Sequence, residues 1–94
     1  MKPTQVFASK KFEKQIQRLP QYIKQAAAVW IASVEEDGIR NIRRLKGYHD
    51  EPLMGARKGQ RSVRLNRAYR LIYEEDDESE ITIVMILEVH KHEY

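Results

Sequence analysis

Between Ser62 and Val89 the chain alternates apolar and polar side chains in three runs, and this pattern limits its fold more tightly than any other feature. Alternation at every second residue marks a β-strand with one covered face. The runs are Ser62–Asn66, Tyr69–Glu74 and Ile81–Val89. A short turn near Arg67 and Ala68 joins the first two, and an acidic stretch joins the last two. Short connections favour antiparallel neighbours. The odd positions are Val63, Leu65, Tyr69, Leu71, Tyr73, Ile81, Ile83, Met85, Leu87 and Val89, and they are expected to face a layer of helices. The even positions, among them Ser62, Arg64, Asn66, Arg70, Ile72, Val84, Ile86, Glu88 and His90, are expected on the helix-free side. A β-bulge in any run would reverse this assignment beyond it.

The first half supplies the helices. Thr4 to Phe7 reads as a short strand. Ser9 is placed to cap a helix whose inner line is Phe12, Ile16 and Leu19, and Pro20 ends it. A second helix is expected from Gln21 to Asp37 with Tyr22, Ala26, Trp30 and Val34 inward and Gly38 closing its C-terminus. From Ile39 to Gln60 periodicity is lost, and Gly47, Pro52, Gly55 and Gly59 punctuate the segment, so it reads as a long loop tucked in by Ile42 and Leu45. The expected architecture is one α+β domain over residues 1–94, ordered β-α-α-β-β-β, with a helix pair on one face of a small, mainly antiparallel sheet.

Several function classes are excluded by what the chain lacks. It has no cysteine, so disulfides, thiolate metal sites and cysteine nucleophiles are absent. No apolar run approaches the ~20 residues that span a bilayer, and the apolar stretch at the start is too short for a secretion signal. A cytoplasmic protein without a membrane partner is expected. The net charge of +3 hides a lopsided distribution. From Arg40 to Arg70 there are ten basic residues and two acids, Asp50 and Glu51, whereas acid is concentrated from Glu74 to Glu80. A basic middle of this density is an electrostatic footprint for a polyanion.

The chemistry-bearing residues gather at the C-terminus. Along His90-Lys91-His92-Glu93-Tyr94, extended backbone would put His90, His92 and Tyr94 on the side that carries Arg64 and Arg70. Guanidinium forks bind phosphate oxygens, and imidazole and phenol transfer protons. The bland alternative pairs Arg64 and Arg70 with Glu88 and Glu74 across the sheet. A zinc site on Glu88, His90 and His92 lacks a fourth ligand. His49 reads as exposed and Trp30 as core.

These segments resemble the RelE/ParE superfamily, the small toxins of bacterial type II toxin–antitoxin pairs. The resemblance covers nearly the whole chain. It rests on the element order, Leu45-Lys46-Gly47, Arg61-Ser62-Val63-Arg64-Leu65, Tyr69-Arg70-Leu71-Ile72-Tyr73 and the closing run from Ile86 to Tyr94. It implies a metal-independent endoribonuclease without a cofactor, nearest to the RelE, YoeB and HigB branches, which cut mRNA on the ribosome. By position, Arg64 and Arg70 match the phosphate-binding pair of those branches, His92 their catalytic arginine or histidine, and Tyr94 falls near their tyrosine. His90 is a secondary catalytic candidate. Lys58, Arg61, Arg67 and Lys91 are candidate RNA-docking charges. The implied partners are a cognate antitoxin encoded next door and mRNA on the 70S ribosome. Three rivals remain: a ParE-like inhibitor of DNA gyrase, an RNA-binding module without chemistry, and a toxin relic that has lost its activity.

Overall fold

A computed structural model describes residues 2–91. In chain order the elements are β1 (Thr4–Ala8), α1 (Lys10–Gln17), α2 (Gln21–Asp37), α3 (Ile39–Arg43), β2 (Glu51–Pro52), β3 (Arg61–Arg64), β4 (Tyr69–Asp77) and β5 (Thr82–Lys91). Single 3₁₀ turns lie at Lys46–Tyr48 and Gly55–Arg57. The strands form one sheet in the order β1-β5-β4-β3-β2, with β1 parallel to β5 and every other pair antiparallel. The α+β class and the helix-on-sheet packing are as expected. The segment read as a loop is more ordered than its punctuation suggested. Ile39 and Ile42 are both buried, and three-residue spacing puts them on one side of a helical turn, which gives α3. Glu51 and Pro52 add a short edge strand, the place where proline's missing N–H does least harm. Leu45, expected to tuck inward, is half exposed.

The core joins Phe12, Ala27, Trp30, Val34, Ile39 and Ile42 of the helices to Val63, Leu71, Tyr73, Val84, Ile86 and Val89 of the sheet. Trp30 is fully buried, and its ring centroid lies 5.3 Å from that of Tyr73 at 50°. The buried line of α2 is Ile23, Ala27, Trp30 and Val34; Tyr22 is exposed, and Ala26 is only partly buried. The expected spacing of four everywhere drifts around the helix by roughly 40° per step, whereas a seven-residue separation drifts back by only about 20°. Ile23 with Trp30, and Ala27 with Val34, keep to the narrower stripe. Between α2 and α3 the Gly38 backbone has φ 85° and ψ 148°, and its N–H closes α2 by donating to the Val34 carbonyl at 2.9 Å. A Cβ there would meet nothing nearer than the Thr4 hydroxyl at 3.8 Å, so space is available and only the backbone conformation is at stake. Gly38→Ala is therefore expected to lower stability by about 1–3 kcal/mol, read by thermal or urea unfolding.

A bulge in β5 changes which residues form the core. Ile72 pairs with Glu88 but the next β4 residue, Tyr73, pairs with Ile86, so Leu87 is the extra residue. Below it the expected faces are exchanged. Val84 and Ile86 are fully buried beneath the helices, and Ile83 and Met85 move to the helix-free face. The bulge sits where β1 ends. There the Ser9 N–H donates to the Ile86 carbonyl at 2.9 Å, and its hydroxyl donates to the Leu87 carbonyl at 2.6 Å. The same hydroxyl accepts from the Phe12 N–H at 3.0 Å, the cap expected for α1. Past the bulge α1 guards the strand edge, with Gln15 Oε1 accepting from the Val89 N–H at 2.8 Å. Strand β4 also runs on through the acidic stretch to Asp77, leaving a tight turn in which the Glu78 N–H donates to the Ile81 carbonyl.

Candidate active site

The bulge leaves the parity of Glu88, Val89 and His90 intact, and this decides the site. In the β3–β4–β5 register Arg64 stands opposite Arg70, and Arg70 stands opposite His90. Directly opposed residues share a face, so the three lie in one row on the helix-free side. Two like charges face to face are unfavourable, on the order of 1 kcal/mol. Among the described residues no carboxylate relieves them, and the expected alternative pairing with Glu88 and Glu74 does not form. Arg70 Nη1 donates to the Asn66 carbonyl at 3.1 Å and, more weakly, to that of Tyr69 at 3.4 Å. The Asn66 side chain fixes that turn by accepting from the Ala68 and Tyr69 N–H groups, each at 2.8 Å. Arg64 Nε is buried and finds no hydrogen-bond partner among the described residues. His90 is exposed, with Nε2 3.8 Å from Glu88 Oε1. The row thus offers partly buried guanidinium donors beside an accessible imidazole, groups of the kind that can bind phosphate oxygens and transfer protons.

Glu88 belongs to a separate clamp. Its Oε2 takes Arg57 at 3.0 Å and Lys11 at 3.3 Å, so the turn Gly55–Arg57 is fastened onto the helix-free face. Ser62 and Ile72, in register with Glu88, are buried on that face. Burial pushes the Glu88 carboxyl up, but hydrogen bonds and charge from Arg57 and Lys11 outweigh it and hold the group below its ordinary value. A lowered folded pKa stabilises above the unfolded value of about 4.3, and the contribution fades as pH falls through the lower folded value. Glu88→Gln is therefore expected to be less stable than the parent at pH 7 and to converge with it in strong acid, measured as unfolding midpoints across pH.

The segment between α3 and β3 that carries this turn, an insertion between helix and sheet, is pinned to the core by Asp50. Its carboxylate accepts from Arg61 Nε and from the Tyr73 hydroxyl, both at 2.6 Å, and its side chain is 1 % exposed. Burial, reinforced by the neighbouring carboxylate, pushes the Tyr73 phenol well above its ordinary value. Arg61, expected from sequence as a docking charge, faces the helix side and anchors the segment through its Nε. Arg40 and Arg43 are also drawn off, pairing with Asp77 and Glu75. Lys58 is exposed on the insertion. Lys91 is exposed in register with Tyr69, on the opposite face from Arg70. Arg67 is exposed and has a partner of its own. His49 is exposed as expected. His92 and Tyr94 lie outside the described residues. Among those described, no three histidine or acidic groups converge on a metal-sized site, and no helix is long and apolar enough to cross a membrane. Sequence reasoning missed Asp50, Arg57 and Lys11. Lys11 is 77 residues from its partner, and no local pattern announces such a pairing.

The model of the family described as "ParE toxin of type II toxin-antitoxin system, parDE" matches residues 6–93. No curated protein matches the chain significantly. Among solved structures, the toxin–antitoxin complex RelBE2 of Mycobacterium tuberculosis is 25% identical, covering 96% of this chain and 99% of that one, with a TM-score of 0.70. The archaeal RelE–RelB complex of Pyrococcus horikoshii is 22% identical over 95% and 94%, with a TM-score of 0.73. The DinJ–YafQ toxin–antitoxin complex of E. coli is 16% identical over 96% and 93%, with a TM-score of 0.75. At these identities the last two describe a shared fold.

Proposed function

The chain belongs to the ParE toxin family of type II toxin–antitoxin systems, within the RelE/ParE superfamily, and on that premise we propose that it is a metal-independent endoribonuclease acting on mRNA at the ribosome. Its protein partner is a cognate antitoxin, as in the complexes it resembles. The single observation that carries the nuclease reading is the row of Arg64, Arg70 and His90, with two opposed arginines that no carboxylate among the described residues neutralises. A pair held against its own repulsion has a use for a bound anion.

The reaction assigned to this row uses the RNA's own 2′-hydroxyl. A base removes its proton, the oxygen attacks the adjacent phosphorus, and an acid protonates the departing 5′-oxygen. The products are a 2′,3′-cyclic phosphate and a 5′-hydroxyl. Arg70 and Arg64 stabilise the charge gathered on the phosphorane, the larger share of the work in such sites. Proton transfer is assigned to His92 by its place in the sequence, with Tyr94 beside it and His90 as the second candidate. A positioned histidine contributes roughly 10²–10⁴-fold. DNA, lacking the 2′-hydroxyl, is not a substrate.

The test is to add the purified chain to translating ribosomes and map message ends. New 5′-hydroxyl ends support the reading. Intact message together with cell toxicity sinks it. That outcome favours the second reading, a gyrase-directed toxin, which the ParE description of the matching family model keeps in view.

A further inference from the structure

In a chain of which 33% of residues are charged, α2 carries no charge from Gln25 to Ser33, about two and a half turns. One side of that stretch belongs to the core through Ala27 and Trp30. The other side faces solvent with Gln25, Ala28, Val29 and Ala32. Val29 is 59% exposed, and Tyr22, two turns before it on the same side, is 60% exposed. The Ser33 hydroxyl donates to the Val29 carbonyl at 2.8 Å, so it brings no free donor to this face. The charges lie at the two ends and are sorted by sign. Arg18 precedes the helix and Lys24 sits near its start, whereas Glu35, Glu36 and Asp37 close it. None of these five side chains forms an ion pair among the described residues. Their order runs against the helix macrodipole, which favours anions at the N-terminus and cations at the C-terminus. The first turn has no acid, the last has no base, and Pro20 as N-cap lends no side-chain acceptor.

We infer that this face is the docking surface for a second copy of the chain, with the two α2 helices antiparallel and crossing near Val29. The inference is independent of the chemistry at the arginine row. A two-fold contact uses one patch twice, so the patch has to complement itself. Val29 is the midpoint of Gln21–Asp37, and an antiparallel crossing there lays the uncharged stretch against itself. Each acidic end then reaches the start of the other helix, where Glu35 and Glu36 meet Lys24, Arg18 and the first-turn N–H groups. Both mismatches with the macrodipole are relieved together. A parallel pair would set acids against acids. An unrelated helix would need only the apolar stretch, whereas charge sorted by end is answered by a reversed copy of α2 itself. Ala28 and Ala32 let the two axes approach to about 8 Å, the short end of the usual range. Because α2 lies on the covered side of the sheet, the pair leaves Arg64, Arg70 and His90 of both copies uncovered. A helix about 25 Å long offers less than the ~800 Å² per partner of a standard interface, so the dimer is weak and concentration-dependent.

Sedimentation velocity of the purified chain, from about 1 µM to about 1 mM, is expected to show monomer converting to dimer. Val29→Glu, at an exposed position, should keep the chain monomeric throughout with its melting temperature unchanged. Glu35→Gln/Glu36→Gln should weaken the dimer several-fold; a tighter dimer would mean parallel helices and overturn the arrangement. The chain has no cysteine, so introduced thiols report the geometry. Val29→Cys should give a disulfide-linked dimer on mild oxidation, because the two copies of this position meet at the crossing. Gln21→Cys should not. It lies about 12 Å along the axis from the crossing and its twin as far on the other side, well beyond the ~7 Å between Cα atoms that a disulfide spans. Linking of both variants, or of neither, overturns the antiparallel pair. So does a parent chain that stays monomeric over the whole range, or a dimer that survives Val29→Glu. If the parent is monomeric and Val29→Glu abolishes binding of the cognate antitoxin, the face is the antitoxin's seat and the proposal falls.

Discussion

Arg70→Ala is expected to lower message cleavage by roughly 10²–10³-fold, the usual loss when one preorganised donor to a developing oxyanion is removed. Stability should hold or rise slightly. The guanidinium faces Arg64 directly across the ladder, and removing one of two opposed like charges relieves a repulsion. The loss on the other side is small, since among the described residues Arg70 bonds to the carbonyls of Asn66 and Tyr69 alone, and the turn there is fixed by the Asn66 side chain itself. Arg70→Lys should fall between parent and alanine, keeping the charge but losing the paired donors that match phosphate geometry. Single-turnover cleavage rates on ribosome-bound message, measured beside thermal unfolding, separate chemistry from folding. A variant that loses activity only in step with its melting temperature would make Arg70 a structural residue.

Asp50→Ala should have the largest effect on stability, a loss of about 3–5 kcal/mol, because it strands a cation and a phenol that are both turned inward. Arg61 and the Tyr73 hydroxyl share this one carboxylate, whose side chain is 1 % exposed, and Tyr73 stands at the centre of the core against Trp30. For a domain with the usual 5–15 kcal/mol of total stability this is a large fraction. Tyr73→Phe removes one neutral donor and leaves the ion pair, so about 1–2 kcal/mol is expected. Urea unfolding of the two variants orders them. The opposite ranking would place the weight of the network on the phenol. Asp50 also ties the insertion to the core, so its loss should release the Arg57–Glu88 clamp and weaken the pH dependence assigned to Glu88, leaving the share that comes from Lys11.

Much of this molecule follows from near neighbours in the chain. The Ser9 cap, the extent of α2 and the break at Gly38 each depend on residues within one helical turn, where geometry is set by local sterics and hydrogen bonding. Alternation likewise identified three strands, the sheet's mainly antiparallel order and the row of Arg64 and Arg70, since side-chain parity is a local property of extended backbone. The expected faces of β5 failed below Leu87. The cause lies in Ser9, which takes two carbonyls of a strand nearly eighty residues away, and nothing within β5 itself signals the extra residue.

What the sequence determined by itself was therefore β1, the first two helices and the last three strands, the covered face of β3 and β4, and the placing of Arg64 and Arg70 on the uncovered face; α3 and β2 escaped it. Tertiary structure alone decided the bulge, the capture of Arg61 by Asp50, the neutralisation of Arg40 and Arg43 by the acidic hairpin, and the fastening of Arg57 to Glu88. These depend on which distant charges and carbonyls come within a few ångströms once the chain closes, and such contacts leave no periodic trace. The candidate site was legible because Arg64, Arg70 and His90 all lie on the same side of the bulge, where the register of three adjacent strands carries local parity unchanged into space.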